Sequence, residues 1–298
     1  MITKFLKRAL ALVGIATSAV AAPQAAPAPV ARPALWQVSD SDTTVYLFGT
    51  IHILPANYQW ETPKIRKAMA KSNELYVETI VDPKKPTELV AALTSLGYSK
   101  GLPPIADRVS PAKRPLLEAA IARSGIPRPA FDGMETWTAA FTLLGVQYRS
   151  IGLEGENGVE QTLKDSFGAQ GKPIGQLETN AEQLGFFDRL PEKAQRSLLE
   201  GAIEPSDAAS AEFQQMLSGW VRGDVASIAR TFNHDLASTP ELRDALLEQR
   251  NANWANWIER RMQKPGTLMI AVGAGHLAGN DSVLERLQGA GYRVKRIQ

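Results

Sequence analysis

Two segments of this 298-residue chain carry an apolar run into Gly-x-x-His. Val45-Tyr46-Leu47-Phe48 leads into Gly49-Thr50-Ile51-His52, and Leu268-Met269-Ile270-Ala271-Val272 leads into Gly273-Ala274-Gly275-His276. Each run reads as a strand, the glycine permits a sharp turn off it, and the histidine falls at the strand's carboxyl end. In α/β sheets that end is where ligands and catalytic groups gather. Acids close other strands: Glu78 in Glu74–Thr79, Glu154 in Ser150–Glu154 and Glu178 in Pro173–Glu178. Taken singly, a carboxylate at a sheet rim is explained by solvation or by capping a helix. Imidazoles and carboxylates delivered to one edge are a different matter, because they ligate zinc, manganese, cobalt and iron and act as acids and bases on water. The third histidine, His234, sits at a helix end and is expected to face solvent.

A further polar signal lies on a long helical period from Thr239 to Gln263. Leu247, Asn251, Trp254, Ile258 and Met262 share one face, so Asn251 interrupts an apolar stripe and Arg250 borders it. A polar group aimed at a core needs a partner. Either Asn251 ties down a neighbouring loop, or Arg250 and Asn251 orient substrate or a carboxylate beside the site. The glycines from Gly273 to Gly279 do not make a dinucleotide fingerprint, there is no Walker lysine, no HExxH helix and no G-x-S-x-G elbow.

The elements that must position these residues alternate. Strands are expected at Leu35–Val38, Thr44–Phe48, Glu74–Thr79, Ser150–Glu154, Pro173–Glu178, Thr267–Val272 and Tyr292–Ile297, the first two joined as a hairpin by Ser39-Asp40-Ser41-Asp42. Helical periods fill Pro63–Lys71, Thr87–Leu96, Pro111–Arg123, Glu135–Tyr148 and Glu156–Phe167, and everything between Glu178 and Thr267 reads as helical. Ser282 and Glu285 form a capping box for one more helix. The pattern predicts an α/β fold: a mixed central sheet flanked by helices, with a helical insertion before the last strands.

Met1–Arg8 carries Lys4, Lys7 and Arg8 without an acid, then Ala9–Val20 is small or apolar, and Ala19-Val20-Ala21 offers a small-x-small cleavage pattern. This predicts a signal peptide over residues 1–22, a Pro/Ala-rich spacer over 23–34 and one domain over 35–298, exported to the periplasm with no membrane span after cleavage. The composition is that of a globular protein, 44% hydrophobic and 21% charged, without cysteine, which excludes disulfides, thiolate zinc sites and thiol nucleophiles. The net charge is +2, from 33 basic and 31 acidic residues. Losing the three basic residues of the signal leaves 30 against 31, net −1, and no nucleic-acid partner is expected of so balanced a chain.

Leu35-Trp36-Gln37-Val38, the first Gly-x-x-His strand, the Glu78 strand, Leu177-Glu178-Thr179, Arg250-Asn251 and Gly273-Ala274-Gly275-His276-Leu277 together resemble the TraB/GumN family from Leu35 to the C-terminus. Its eukaryotic relatives, the Tiki proteins, are metal-dependent proteases that use the two motif histidines and a glutamate. The resemblance therefore implies His52, Glu78 and His276 as catalytic residues and metal ligands, with manganese or cobalt as the ion and zinc as a third candidate. Glu178 and Glu154 are expected as further ligands or as carboxylates behind the ligands, and Arg250 and Asn251 as substrate-binding residues. Many relatives carry a second acid two residues after the Glu78 equivalent, where this chain has Ile80. The same fold group resembles the erythromycin esterases, in which a histidine and glutamates activate water without an obvious metal. The leading expectation is thus a secreted metal-dependent hydrolase of peptides or another secreted substrate. A metal-free esterase-like hydrolase and a non-catalytic peptide- or glycan-binding protein are the alternatives.

Overall fold

A computed structural model describes residues 30–55, 58–81, 86–151, 153, 158–236 and 240–298. The predicted signal peptide, most of the spacer, and Glu154 lie outside the described residues. The N-terminal half begins with β1 (Leu35–Ser39), β2 (Thr43–Thr50), α1 (Pro63–Lys71), β3 (Glu74–Val77) and α2 (Thr87–Leu96). It continues through α3 (Arg114–Ser124), α4 (Arg128–Asp132), α5 (Thr136–Ser150), α6 (Val159–Ala169) and β4 (Ile174–Gln176). The helical stretch comprises α7 (Asn180–Asp188), α8 (Glu192–Ala202), α9 (Ser206–Val221), α10 (Val225–Leu236), α11 (Pro240–Arg243) and α12 (Gln249–Met262). The chain closes with β5 (Gly266–Gly273), α13 (Val283–Gly289) and β6 (Val294–Arg296).

The six strands form one mixed sheet in the order β4-β3-β5-β2-β1-β6. Asp40 shapes the β1–β2 hairpin, its carboxylate accepting from the backbone N–H of Asp42 and Thr43. The four strands β4, β3, β5 and β2 are parallel, with Val77 beside both Gln176 and Ala271, and Thr50 beside Gly273. Leu268 to Val272 are at most 1% exposed, as expected of a strand covered on both faces. Alternate residues feed two cores. Met269 and Ala271 join Phe48, Leu75 and Val77 on one side, while Leu268, Ile270 and Val272 pack with Leu47, Trp254, Ile258 and Leu287 on the other. The helical stretch before β5 is present as expected, and α12 lies against the second core.

Two expectations need correction. Ser150 ends helix α5 rather than opening a strand, and Ile151 forms a turn, so no strand starts there. The preceding stripe of Trp137, Phe141, Leu144 and Tyr148 is fully buried, and that helical period carries the chain past the β-rich residues. The long helix is also not α-helical throughout: it runs unbroken from Pro240 to Met262, but Asp244–Glu248 is a π-helical segment, which widens the turn before Arg250.

Candidate active site

Because β4, β3, β5 and β2 run in parallel, their carboxyl ends share one edge, and the chain continues from them to Glu178, Glu78, His276 and His52 in that spatial order. The glycines bring the histidine strands close. A methyl group on Gly49 would lie 3.2 Å from Cα of Ala274, so the glycine lets β2 pass close to the turn that carries His276.

Glu78 lies at the centre and is 3% exposed. Its Oε1 accepts the backbone N–H of Gly273 at 2.8 Å, and its Oε2 accepts from Arg250 at 2.5 Å and from Gln183 at 3.2 Å. The same Oε1 stands 3.7 Å from Nε2 of His52 and 4.0 Å from Nε2 of His276. Burial would raise the Glu78 carboxyl, but Arg250 and the two imidazoles outweigh it and hold the group well below the usual carboxylate range.

Arg250 is the cation of the cluster, 2% exposed and packed over the Trp254 ring at 4.7 Å. Its Nε–H reaches both oxygens of Glu178 at 3.0 and 3.1 Å, its second terminal nitrogen bridges Glu78 and Glu178, and its first donates to Nε2 of His276 at 3.1 Å and to the Leu246 carbonyl at 3.5 Å. Gln183 also donates to Glu178 at 3.1 Å. Burial raises the Glu178 carboxyl and the Glu78 charge adds to it, with Arg250 and the Gln183 hydrogen bond opposing.

The two histidines are in opposite states. His276 is 1% exposed, and its Nδ1–H donates to Asn251 Oδ1 at 2.7 Å. Asn251 in turn donates to the Asp281 carbonyl at 2.9 Å, which fixes the amide's orientation and so the tautomer. Asp281 adopts φ 60°, a left-handed conformation that Asp tolerates better than most residues. Desolvation, then the Arg250 charge, lowers His276 to about 3, so it is neutral. His52 instead directs Nδ1–H at Glu160 Oε1, 2.7 Å away. Glu160 is the second residue of α6, whose first N–H is bonded to the Ile51 carbonyl at 3.1 Å, and Thr50 also donates to it. Burial would lower His52, but the Glu160 and Glu78 carboxylates overcome that and raise it to about 9. Its Nε2 has no hydrogen-bond partner among the described residues.

Six of the residues expected at the site are therefore in one cluster. Arg250 and Asn251 are buried and bonded to other members of it, so Arg250 orients the carboxylates and Asn251 holds His276. Neither points a remaining contact at substrate in this arrangement. Glu160 and Gln183 complete the cluster without having been singled out as site residues in the sequence. The only signal for Glu160 was an acid in a helix's first turn, which helix-dipole stabilisation explains equally well. Glu154 is outside the described residues, and so is the side chain of His234.

A metal held by His52, Glu78, His276 and Glu178 does not fit this arrangement. Nε2 of His276 takes an N–H from Arg250, its other nitrogen is protonated toward Asn251, and both Glu178 oxygens receive Arg250. The Arg250 guanidinium already places a positive charge between Glu78 and Glu178. His52 Nε2 and Glu160 Oε2 are without a hydrogen-bond partner, Glu78 Oε1 already takes the Gly273 N–H, and no group of three or more His, Asp or Glu side chains among the described residues is arranged to hold an ion.

The profile of the TraB/PrgY/gumN family matches residues 34–296. Among curated proteins, the chain is 25% identical over 243 residues to "Uncharacterized protein YbaP" of Escherichia coli (strain K12) and to the protein of that name in Shigella flexneri. Each alignment covers 82% of this chain and 87% of the relative. No solved structure matches it. With nearly the whole of the described fold inside that match, the chain belongs to the TraB/PrgY/gumN family.

Proposed function

We propose that the protein is an exported hydrolase in which His52, oriented by Glu160, activates water without a bound metal. One observation carries this reading: Nδ1 of His52 is held by a buried carboxylate while Nε2 is unpartnered, 3.7 Å from Glu78 Oε1. That gap is too long for a direct hydrogen bond, and it suits an oxygen atom that contacts both groups. A carboxylate behind an imidazole raises its basicity and fixes the tautomer that presents the other nitrogen.

In the reaction, neutral His52 takes a proton at Nε2 from water, and the water oxygen bonds to the acyl carbon of an amide or ester. Glu78 Oε1 accepts the other hydrogen and keeps the oxygen beside the ring. As the bond from the acyl carbon to the leaving group breaks, Nε2 returns the proton to the departing nitrogen or oxygen. Glu160 stabilises the intervening imidazolium, and its charge costs nothing to reorganise because Thr50 and helix α6 already hold it in place. Arg250 neutralises Glu78 and Glu178 at the back of the site, and its charge helps keep His276 neutral. Peptides are the first substrate class under this reading, and residues 1–22 act as the export signal.

Dependence on manganese, cobalt or zinc would require Arg250 to withdraw from His276 and Glu178. The two are separated by screening purified protein against quenched peptides and nitrophenyl esters, before and after exhaustive chelation, beside His52→Ala. Hydrolysis that survives chelation and is lost in His52→Ala supports the proposal. Hydrolysis that vanishes on chelation and returns with added metal refutes it.

A further inference from the structure

The edge that carries the site continues into a second feature. β1 runs antiparallel to β2, with Leu35 beside Phe48, and β6 runs antiparallel to β1, with Trp36 beside Arg296. Residues before β1 and after β6 therefore emerge at the edge where His52 follows β2. There they border a cleft of about 910 Å³ whose lining includes Arg32, Lys64, Arg66, Arg222 and Arg296, with Glu61 the one acid. None of the site side chains lines it, so it is a separate feature of the same sheet edge.

Its walls are tied to the catalytic strand. Trp60, in the segment after His52, packs on Phe48 of β2 at 5.6 Å, and Trp220 donates to the Gly49 carbonyl at 2.8 Å two residues before Arg222. Backbone bonds from Ala31 to Gln59 and from Arg32 to Val221 close the other side. The cations are placed largely by neutral groups. Lys64 donates to the Ile297 carbonyl at 2.7 Å, Arg296 to the Gly223 carbonyl at 2.6 Å, Arg66 to the Glu61 carbonyl and Arg222 to the Ser218 hydroxyl. Arg296 also donates to the Gln298 backbone oxygen at 2.5 Å. Among the described residues, Asp224, 3.9 Å from Arg222, is the one side-chain carboxylate within ion-pair distance of the five. Five cationic side chains in the lining, against Glu61 there and Asp224 behind Arg222, is a concentration of charge that a chain of net charge +2 does not produce by bulk composition. Their mutual repulsion is relieved when an anion enters.

We infer that this cleft binds an acidic segment of the substrate and so selects acidic peptides for the site next to it. The inference rests on the hydrolase reading only for the identity of the anion. The cleft's preference for carboxylate-bearing chains is measured by binding alone. Arginine and lysine heads in fixed positions recognise successive carboxylates, and they weaken together as salt rises.

The test is calorimetric titration of the full mature chain with acetylated hexaglutamate, with hexalysine as control, in wild type, His52→Ala and the double variant Arg32→Glu/Arg66→Glu. Both reversed side chains are exposed, so the fold is expected to hold, and circular dichroism checks it. Saturable binding of hexaglutamate alone is expected, unchanged in His52→Ala and weaker by about tenfold or more in the double variant. Absent binding, or equal binding by the charge-reversed protein, overturns the inference. Binding of dextran sulfate in preference to hexaglutamate overturns the peptide assignment. Because His52→Ala must still bind, loss of hydrolysis in the proposed site and loss of this cleft's role give different results.

Discussion

Arg250 directs an N–H at Nε2 of His276 across 3.1 Å. That contact divides the two motif histidines into different jobs. His276 is bonded at both nitrogens and neutral, a fixed acceptor in the wall of the site, while His52 Nε2 is without a hydrogen-bond partner. Two sequence motifs that look equivalent are thus not equivalent in chemistry.

Removing the Arg250 charge leaves two buried carboxylates facing each other. Arg250→Met is therefore expected to destabilise the fold by about 3–5 kcal/mol, the usual result of breaking a buried ion pair from one side. Urea unfolding measures it. Arg250→Met with Glu178→Gln restores part of the loss, since one of the stranded charges is gone.

Stability should depend on pH from both sides. His52 titrates at about 9 in the fold, above its unfolded value, so it favours the native state fully below pH about 6.5 and loses that contribution as pH rises through 9. His276, lowered to about 3, contributes above pH 6.5 and loses its contribution as pH falls from there toward 3. Glu78 adds to the acid-side loss, because its carboxyl is also depressed. Thermal melting across pH is expected to peak near neutrality, and His52→Ala is expected to flatten the alkaline limb on the order of 2 kcal/mol.

Glu160→Gln keeps the shape of the His52 partner and removes its charge. The imidazole pKa then falls, visible by NMR of the His52 ring protons. The rate should also drop, by about 10²–10⁴, because the amide no longer stabilises the imidazolium or enforces the tautomer. With His52 as base, kcat/KM in the wild type rises with pH toward 9, and in the variant that limb moves to lower pH.

Gly49→Ala tests the close approach of the two histidine strands. The added methyl would meet Ala274 backbone at 3.2 Å, so β2 and the His276 turn must separate. A loss of about 1–3 kcal/mol is expected, with activity falling more than stability accounts for. Gly125→Ala, where no atom lies within 4 Å of the new methyl but φ is +69°, is expected to cost stability by backbone strain alone and to leave the site's chemistry intact.

The sheet edge was legible because the signal was local. Gly-x-x-His after an apolar run announces a strand, a turn and a ring in eight or nine consecutive residues, and Glu78 and Glu178 each close a run of their own. Asn251 showed itself by interrupting a stripe. What escaped were relationships across the fold. Glu160 reaches His52 only because the N-terminus of α6 docks on the Ile51 carbonyl, a contact between residues 108 positions apart that no periodicity records. For Arg250 the sequence leaves two roles open, orienting substrate or orienting a carboxylate beside the site, because its border position shows polarity without direction. Just past the π-helical segment, its guanidinium meets Glu78, Glu178 and His276. The strand expected from Ser150 failed because five β-rich residues compete poorly with the fifteen-residue helix that precedes them.

The central claim is that water is activated at His52 with no resident metal. Its most direct test is the turnover of metal-stripped protein, with metal content measured on the same sample, over a range of pH. The account predicts hydrolysis that persists with far less than one equivalent of metal, climbs toward pH 9 and is lost in His52→Ala. Activity that tracks bound manganese, cobalt or zinc in proportion, and is absent without it, would contradict the account.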